Sequence, residues 1–441
     1  MTHEGLGVGR IDNFAIFVDG AIKGELVEIK IIKVSKNYAV GKLMRILKPS
    51  ESRVNPSCPV FKRCGGCSLQ HMDYKAQLNF KTELVRENMK RIGKLDDVIV
   101  HDTIGMENFM NYRNKALYPV AAVKGKTVAG FYAKRSHDII EHDSCDIQDV
   151  ISTRIKKIVH KFIVENGISA YHESTGEGTI RHIMTRIGFK TGEVMVVLVI
   201  NADDLPMKVK KRLVEILTEE VLEVKSIYLN INKKITNTIL GDTNKLIYGK
   251  EAISDFIGNL EFRISPLSFF QVNPVQTEVL YNKALEYAGL TGNETVFDLY
   301  CGIGTISLFL SQKAKKVYGV EVVEDAVRDA KENARINGIN NVEFFAGKAE
   351  EVVPVIYAQG VRADVVAVDP PRKGCDQTLL DTLVEMQPER IVYVSCNPST
   401  LARDLGYLSE RGYKAHEAQP VDMFPQTHHV ECVTLMSRVK D

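Results

Sequence analysis

The sequence predicts an α/β protein: a doubly wound parallel sheet in its C-terminal part, a mixed α+β region before it, and a small β-module at the N-terminus. Three observations carry that expectation. From Ser265 onward, short apolar runs alternate with helical stretches. A Gly-x-Gly loop, Asp298-Leu299-Tyr300-Cys301-Gly302-Ile303-Gly304, follows the first of these runs. Residues 5–47 instead alternate apolar and polar positions between glycine turns, as short strands of a small barrel do. With 441 residues, 44% of them apolar, the chain is long enough for two to three domains, each with its own core.

Composition narrows the setting. No stretch approaches the ~20 uncharged apolar residues of a membrane helix, and Met1-Thr2-His3-Glu4-Gly5 has no signal-peptide pattern, so a soluble, cytoplasmic, monomeric protein is expected. Eight cysteines are too sparse for a disulfide scaffold, and four fall in a pattern that calls for reduced thiolates, which favours a reducing compartment. The formal net charge of +1 conceals an asymmetry: residues 23–63 hold ten Lys/Arg against three Glu, a local +7 that suits phosphates. On composition alone, a solvated strand face accounts for those lysines equally well.

In chain order, residues 1–48 form the β-module, with strand-like runs at Ala15–Val18 and Val27–Ile31. A polar, proline-bearing connector, Pro49–Pro59, leads into a region spanning 49–262. It opens with the cysteine pattern and a helix-like run from Tyr74 to Ile92, and continues through the apolar strand Val194–Ile200 and the helix-like Met207–Leu222. Residues 263–441 hold the alternating unit, with strands expected at Thr295–Leu299, Val317–Glu321, Val342–Phe345, Asp364–Val368 and Arg390–Ser395. Sheets of this kind bind ligands at the C-terminal ends of their strands, where Asp298, Glu321, Asp369 and Cys396 fall.

Gly302 and Gly304 permit a tight strand-to-helix turn and close backbone approach to a ligand. The loop lacks the P-loop lysine and the third glycine of the dinucleotide fingerprint. Glu321, at the end of the next strand, stands where a carboxylate can accept hydrogen bonds from both ribose hydroxyls. Together with Asp369-Pro370-Pro371 this favours S-adenosylmethionine over a dinucleotide, although two prolines after a strand also read simply as a rigid loop.

Val394-Ser395-Cys396-Asn397-Pro398 places a cysteine at a strand end among polar groups. A thiolate there suits methyl transfer to a pyrimidine. Carbon 5 of uracil is a poor nucleophile, and addition of a thiolate at carbon 6 turns the ring into an enolate able to attack a methyl sulfonium. Taken alone, Cys396 reads more often as a core residue. A base must then remove the carbon 5 proton, and His428-His429-Val430-Glu431 offers Glu431 and two histidines. Elsewhere, Cys58-x5-Cys64-Gly-Gly-Cys67 with Cys145 supplies four thiolates, whose spacing follows neither common ferredoxin nor common zinc-ribbon rules; chemistry leaves zinc and iron-sulfur equal.

Five motifs together resemble those of bacterial 23S ribosomal RNA (uracil-5-)-methyltransferases, relatives of the transfer RNA uracil-5-methyltransferase, over nearly the whole chain. They are Ser268-Phe269-Phe270-Gln271-Val272-Asn273, the loop at 298–304, Asp369-Pro370-Pro371-Arg372, Ser395-Cys396-Asn397-Pro398 and His429-Val430-Glu431. The resemblance implies a Rossmann-like methyltransferase domain and an N-terminal OB-like TRAM barrel. It makes Cys396 the nucleophile, Glu431 the base, and Gln271, Tyr300, Gly302, Glu321 and Asp369 contacts to cofactor and target. Phe269 would stack on a flipped uracil. It also implies a [4Fe-4S] cluster on Cys58, Cys64, Cys67 and Cys145, acting as a scaffold, and a ribosomal RNA substrate. Family members usually carry one strand before the glycine turn where this chain begins, so the expectation is either an incomplete barrel or a start site that lies upstream. The alternatives are a transfer RNA enzyme of the same chemistry, whose representatives generally lack the barrel and the four cysteines, and a non-catalytic iron-sulfur RNA-binding or assembly factor. Amino-group methyltransferases carry Tyr or Phe after Asp-Pro-Pro, where this chain has Arg372.

Overall fold

The computed structural model describes residues 1–439. Its N-terminal module is a four-stranded sheet of Gly7–Ile11, Phe14–Asp19, Tyr38–Lys48 and Leu26–Val34, in that spatial order. The period-2 alternation turns Ile16 and Val18 inward against Ala21 and Ala39 in a small core. Ile22 packs on Leu69 and Met72 and so ties the module to the segment between the cysteine pattern and the first long helix.

The middle of the chain builds a seven-stranded sheet in the order Thr243–Gly249, Val224–Ile231, Val194–Ile200, Ile180–Ile187, Lys115–Val123, Lys126–Tyr132 and Ile139–Glu141. The continuous apolar run Val194–Ile200 is its fully buried central strand, and it coincides with the run read from the sequence. Helices Val150–Glu165 and Met207–Glu220 cover one face. The other face gives Met184, Met195, Val197 and Tyr228 to the core of the C-terminal domain.

That domain holds an eight-stranded sheet: Val342–Ala346, Lys316–Glu321, Thr295–Leu299, Val365–Val368, Arg390–Ser395, Glu431–Arg438, Tyr413–Val421 and Ile99–Val100. The first five strands run parallel, and Glu431–Arg438 enters antiparallel between two neighbours. The chain winds outward from Thr295–Leu299 to Val342–Ala346, then crosses back to lay Val365–Val368 on the other side of Thr295–Leu299. This reversal opens a crevice at the C-terminal strand ends, between the loop after Leu299 and the one after Val368.

Two segments within residues 49–262 join this C-terminal core. Helix Tyr74–Asn88 and the π-turn Met89–Gly93 contribute Val85 and Met89, and Ile99–Val100 adds the last strand beside Glu417 and Ala418. The hairpin Ile253–Ile257/Leu260–Ile264 packs on Leu280, Val296 and Phe309. The helix read as continuous to Ile92 therefore changes hydrogen-bond period after Asn88, and Lys94 ends it in the left-handed region, φ 54°. Among the described residues no helix is long and apolar enough to cross a membrane.

The connector between the last two long strands of the sheet, residues 422–430, is where the parts meet. Lys81, fully buried on helix Tyr74–Asn88, forms an ion pair with buried Asp422 and donates to the Phe424 carbonyl at 3.1 Å. Gln77 donates to Gln426 Oε1 at 3.1 Å and accepts from the Gln426 amide at 3.0 Å. Tyr112 donates to the Pro425 carbonyl at 3.0 Å, and Asn273 to that of Met423 at 3.0 Å. Asp422→Ala leaves the Lys81 ammonium buried without its counter-charge. It is expected to cost about 3–5 kcal/mol in urea unfolding, and the double replacement Lys81→Met/Asp422→Leu should recover most of that loss.

Candidate active site

The strand ends of the C-terminal sheet are in step. Leu299 pairs with Val320 on one side and Val368 on the other, Val368 pairs with Tyr393, and Ser395 pairs with Cys432. One residue past these pairs stand Tyr300, Glu321 and Asp369; Cys396, one past Ser395 and so across from Glu431, reaches two residues beyond the level of Asp369. These five line a single cavity of about 810 Å³ together with Phe269, Gln271 and Gly302; of the further positions read from the sequence outside the cysteine pattern, Asp298 and His428 do not border it. The volume suits a ligand of nucleoside size with a second group beside it.

At one end lies the glycine loop. Tyr300, Gly302 and Gly304 have φ of 75°, 54° and 83°, left-handed conformations that fold the chain back under the cavity. A Cβ on Gly304 would stand 2.9 Å from Phe344 Cζ, whereas one on Gly302 would meet nothing within 4 Å, so Gly302 leaves its backbone open to a ligand. The Glu321 carboxylate is fixed by two backbone amides, Gly302 N–H to Oε2 at 3.1 Å and Val323 N–H to Oε1 at 2.9 Å, with lone pairs left over for hydroxyl donors. Val322, Ile303 and Ala349 supply apolar wall. Beneath the loop Asp298 is fully buried; its Oδ2 accepts from Ser307 Oγ at 2.6 Å, its Oδ1 has no partner, and burial pushes its carboxyl up to about 7. An open backbone cradle, a pinned carboxylate and an orphaned acid fit a cationic adenosine-type cofactor such as S-adenosylmethionine.

At the other end stand the groups suited to chemistry. Burial pushes the Cys396 thiol up to about 12; Glu431 and Asp369 push in the same direction and Arg372 opposes them. Glu431, 3% exposed, is raised by burial and then by Asp369, again against Arg372. Asp369 is raised by burial and then by Asp298. Arg372 is held by its backbone: its carbonyl accepts from Asn397 Nδ2 at 2.9 Å, and the Asn397 side chain also caps helix Pro398–Ser409. The loop beyond is braced by Asp404, which accepts from Tyr393 Oη at 2.6 Å and from the Cys375 amide at 2.9 Å.

Phe269 is 67% exposed at the cavity mouth, an unusual position for a large ring. Its neighbours are fixed: Ser268 Oγ donates to Asp329 at 2.9 Å, and the Ser268 carbonyl accepts from Arg186 at 2.6 Å. His429 lines the wall with its pKa lowered to about 3 by burial and by His428, so it is neutral there. His428 turns away to Ser68, 3.1 Å from its hydroxyl. Tyr281, Phe424 and Lys348 also line the cavity, and sequence reasoning misses them because each lies outside the motifs.

None of Cys58, Cys64, Cys67 and Cys145 borders the cavity. Burial pushes the Cys67 thiol up to about 12, and Cys145, Cys64 and Cys58 each add to that rise, so the four thiols are electrostatic neighbours. Among the described residues no three His, Cys, Asp or Glu side chains form a group that could hold a metal ion.

A family model described as tRNA (uracil-5-)-methyltransferase matches residues 73–439, and one described as the TRAM domain matches residues 1–44. Relatives described as uncharacterized RNA methyltransferases from Clostridium tetani and Caldanaerobacter subterraneus are 55% and 54% identical; each match covers 100% of this chain, and 95% and 96% of theirs. The crystal structure of the Pyrococcus abyssi tRNA (uracil-54, C5)-methyltransferase with S-adenosyl-L-homocysteine is 28% identical, with a TM-score of 0.77, covering 98% of this chain and 100% of that one. Coverage so complete takes in the N-terminal module, so the expectation that transfer RNA enzymes lack it fails for that relative.

Arg372 is the cation that acts on both Cys396 and Glu431. Arg372→Gln is expected to raise both pKa values further. The rate of Cys396 alkylation, followed by peptide mass spectrometry against pH, rises as the thiolate forms, and in the variant that rise should move to higher pH.

Proposed function

Because the chain belongs to the RNA (uracil-5-)-methyltransferase family and carries a TRAM domain, we propose that it methylates carbon 5 of specific uridines in 23S ribosomal RNA through a covalent adduct with Cys396. RNA methylation with S-adenosylmethionine follows from the family itself. The observation that supports the covalent step is the placement of Cys396 across from Glu431 in the cavity that Glu321 and Gly302 close at its far end; the ribosomal substrate rests on the motif resemblance alone.

Glu321, Gly302 and Tyr300 hold the cofactor in this reading, which when bound supplies an electrophilic methyl group. Phe269 stacks on the extruded base and Gln271 hydrogen-bonds its edge, offsetting the few kcal/mol that unstacking costs. Cys396 Sγ forms a bond to carbon 6 as its proton passes to Asp369, and the ring becomes an enolate nucleophilic at carbon 5. With carbon 5 methylated, Glu431 accepts its proton; the electrons re-form the ring double bond and expel Cys396, which regains its proton. Burial suits Glu431 to this step, since a carboxylate of raised pKa is a stronger base than one in water.

The four cysteines hold a [4Fe-4S] cluster in this reading, with zinc as the alternative. The mutual electrostatic influence of the four thiols is what supports a shared ligand. The cluster braces the connector after the TRAM module and takes no part in methyl transfer, which needs no electron. A transfer RNA substrate is the second reading, favoured by the family description and by the archaeal relative. Mapping 5-methyluridine in ribosomal and transfer RNA from a deletion strain decides between them. A non-catalytic assembly factor would have no use for a cysteine and a buried carboxylate placed face to face.

Cys396→Ala should abolish methyl transfer, by at least about a thousandfold, while cofactor affinity measured by calorimetry stays within a factor of two or so. Glu431→Gln should accumulate a protein–RNA adduct that resists denaturing electrophoresis and vanishes when Cys396→Ala is added. Normal turnover by Glu431→Gln would assign the proton to another group. Protein purified anaerobically should contain iron and acid-labile sulfide, both lost in Cys64→Ser or Cys145→Ser; stoichiometric zinc in colourless protein would select the other metal.

A further inference from the structure

On the face of the central sheet that meets the catalytic domain, two cations stand side by side without a counter-charge. Lys115 and Arg186 are directly paired residues on the adjacent strands Lys115–Val123 and Ile180–Ile187, which sets their side chains on one face. Arg186 is 4% exposed; one Nη donates to the Ser268 carbonyl at 2.6 Å, and its Nε has no partner. The Lys115 side chain, partly open to solvent, makes neither a hydrogen bond nor an ion pair, and the charges that act on it are Arg186 and Arg113, both positive. Burial lowers Lys115 to about 8 and Arg186 to about 10, with no acid to reverse either.

Charged side chains are rarely buried unless something pairs with them, and leaving a cation pair like this is destabilising. Its position says what the pairing group is for. Asn114, beside Lys115, donates to the Gln271 carbonyl at 2.9 Å and through its amide to the Val272 carbonyl at 2.9 Å, while Arg186 holds Ser268. The two cations thus lie under the loop that carries Phe269 and Gln271 into the cavity. A base drawn into that cavity brings its own backbone phosphates to the mouth.

We propose that Lys115 and Arg186 form the seat of a backbone phosphate flanking the extruded nucleotide, the missing anion of the pair. The proposal rests on the reading that a nucleotide of RNA is flipped into this site. Lys115 supplies the ammonium that the phosphate meets, and Arg186 adds charge from behind while fixing Ser268. The seat anchors the strand at the point where the base leaves the stack, and the phosphate contact specifies position rather than sequence.

The test uses the full-length protein and oligonucleotides built on the mapped target, with 5-fluorouridine at the methylated position and either natural linkages or one neutral methylphosphonate 5′ or 3′ to it. Lys115→Gln should weaken binding of the natural oligonucleotide roughly tenfold and reduce the salt slope of affinity by about 1. One of the two methylphosphonates should weaken wild-type binding equally, and should cost Lys115→Gln nothing more. Lys115→Arg should restore affinity, and Lys115→Met should melt no lower than wild type, since it removes an unpaired buried charge. Additive losses from Lys115→Gln and each methylphosphonate would overturn the proposal, as would an unchanged salt slope. So would a fall in the rate of adduct formation at unchanged affinity, which would assign Lys115 to the base instead. If the wild type forms no adduct with any of these oligonucleotides, the uridine-methylation reading itself fails, a result separate from any effect of Lys115.

Discussion

The pairing of Lys81 with Asp422 is the constraint on which the arrangement of this molecule turns. Both side chains are wholly removed from water. An ammonium so placed is tolerated only while its carboxylate and hydrogen-bond partners stay in position, because a lone buried charge costs far more than the pair yields. Burial lowers the Lys81 pKa, and Asp422 works against that shift. The pair fixes the start of the connector that ends at Glu431, nine residues on. The helix of Lys81, the central domain through Tyr112 and the catalytic domain through Asn273 all attach to that connector, and each attachment fixes the depth at which Glu431 enters the cavity.

Electrostatically the cavity is lopsided. Three buried acids, Asp298, Asp369 and Glu431, follow one another along the strand ends, and each raises the proton affinity of a neighbour. One exposed arginine, Arg372, leans the other way. Such a site holds its protons at rest and welcomes a cation, which suits a sulfonium cofactor; a cation bound there favours the ionised carboxylates, the form in which Asp369 and Glu431 can accept a proton. Burial and the neighbouring acids also favour the thiol form of Cys396. Positive charge lies elsewhere, in the excess over residues 23–63 and in Lys115 and Arg186 beneath the segment that carries Ser268.

Much of the catalytic domain was legible because its signals are local. A strand of apolar residues ending in an acid or a cysteine can be read without knowing its neighbours, and the five parallel strands fall within one or two residues of their expected bounds. Once those strands are laid side by side, their register brings Tyr300, Glu321 and Asp369 into line, with Cys396 two residues beyond. Features set by distant partners were not legible. Ile99–Val100 is two residues long and has no periodicity, and the hairpin at 253–264 carries no mark of the domain it joins. Nothing in the sequence marks Lys115 and Arg186 as neighbours across two strands, and nothing around Asp422 announces an ion pair with a lysine 341 residues earlier. The four cysteines were legible as a pattern, since thiol spacing is itself a sequence property.

That separation of 341 residues bears on how the protein comes into being. A ribosome adds about 5–20 residues per second, so helix Tyr74–Asn88 waits roughly 20–70 s for the residue that neutralises Lys81. Ile99–Val100 waits equally for Glu417 and Ala418, the partners that make it an edge strand. The N-terminal module and the central sheet contain all their own strands and can close during synthesis, but the catalytic sheet cannot. Its final form needs the front and the back of the chain together. The catalytic sheet is therefore completed late in synthesis, and a nascent chain truncated before residue 422 holds the whole glycine loop yet exposes a charged helix with nowhere to dock.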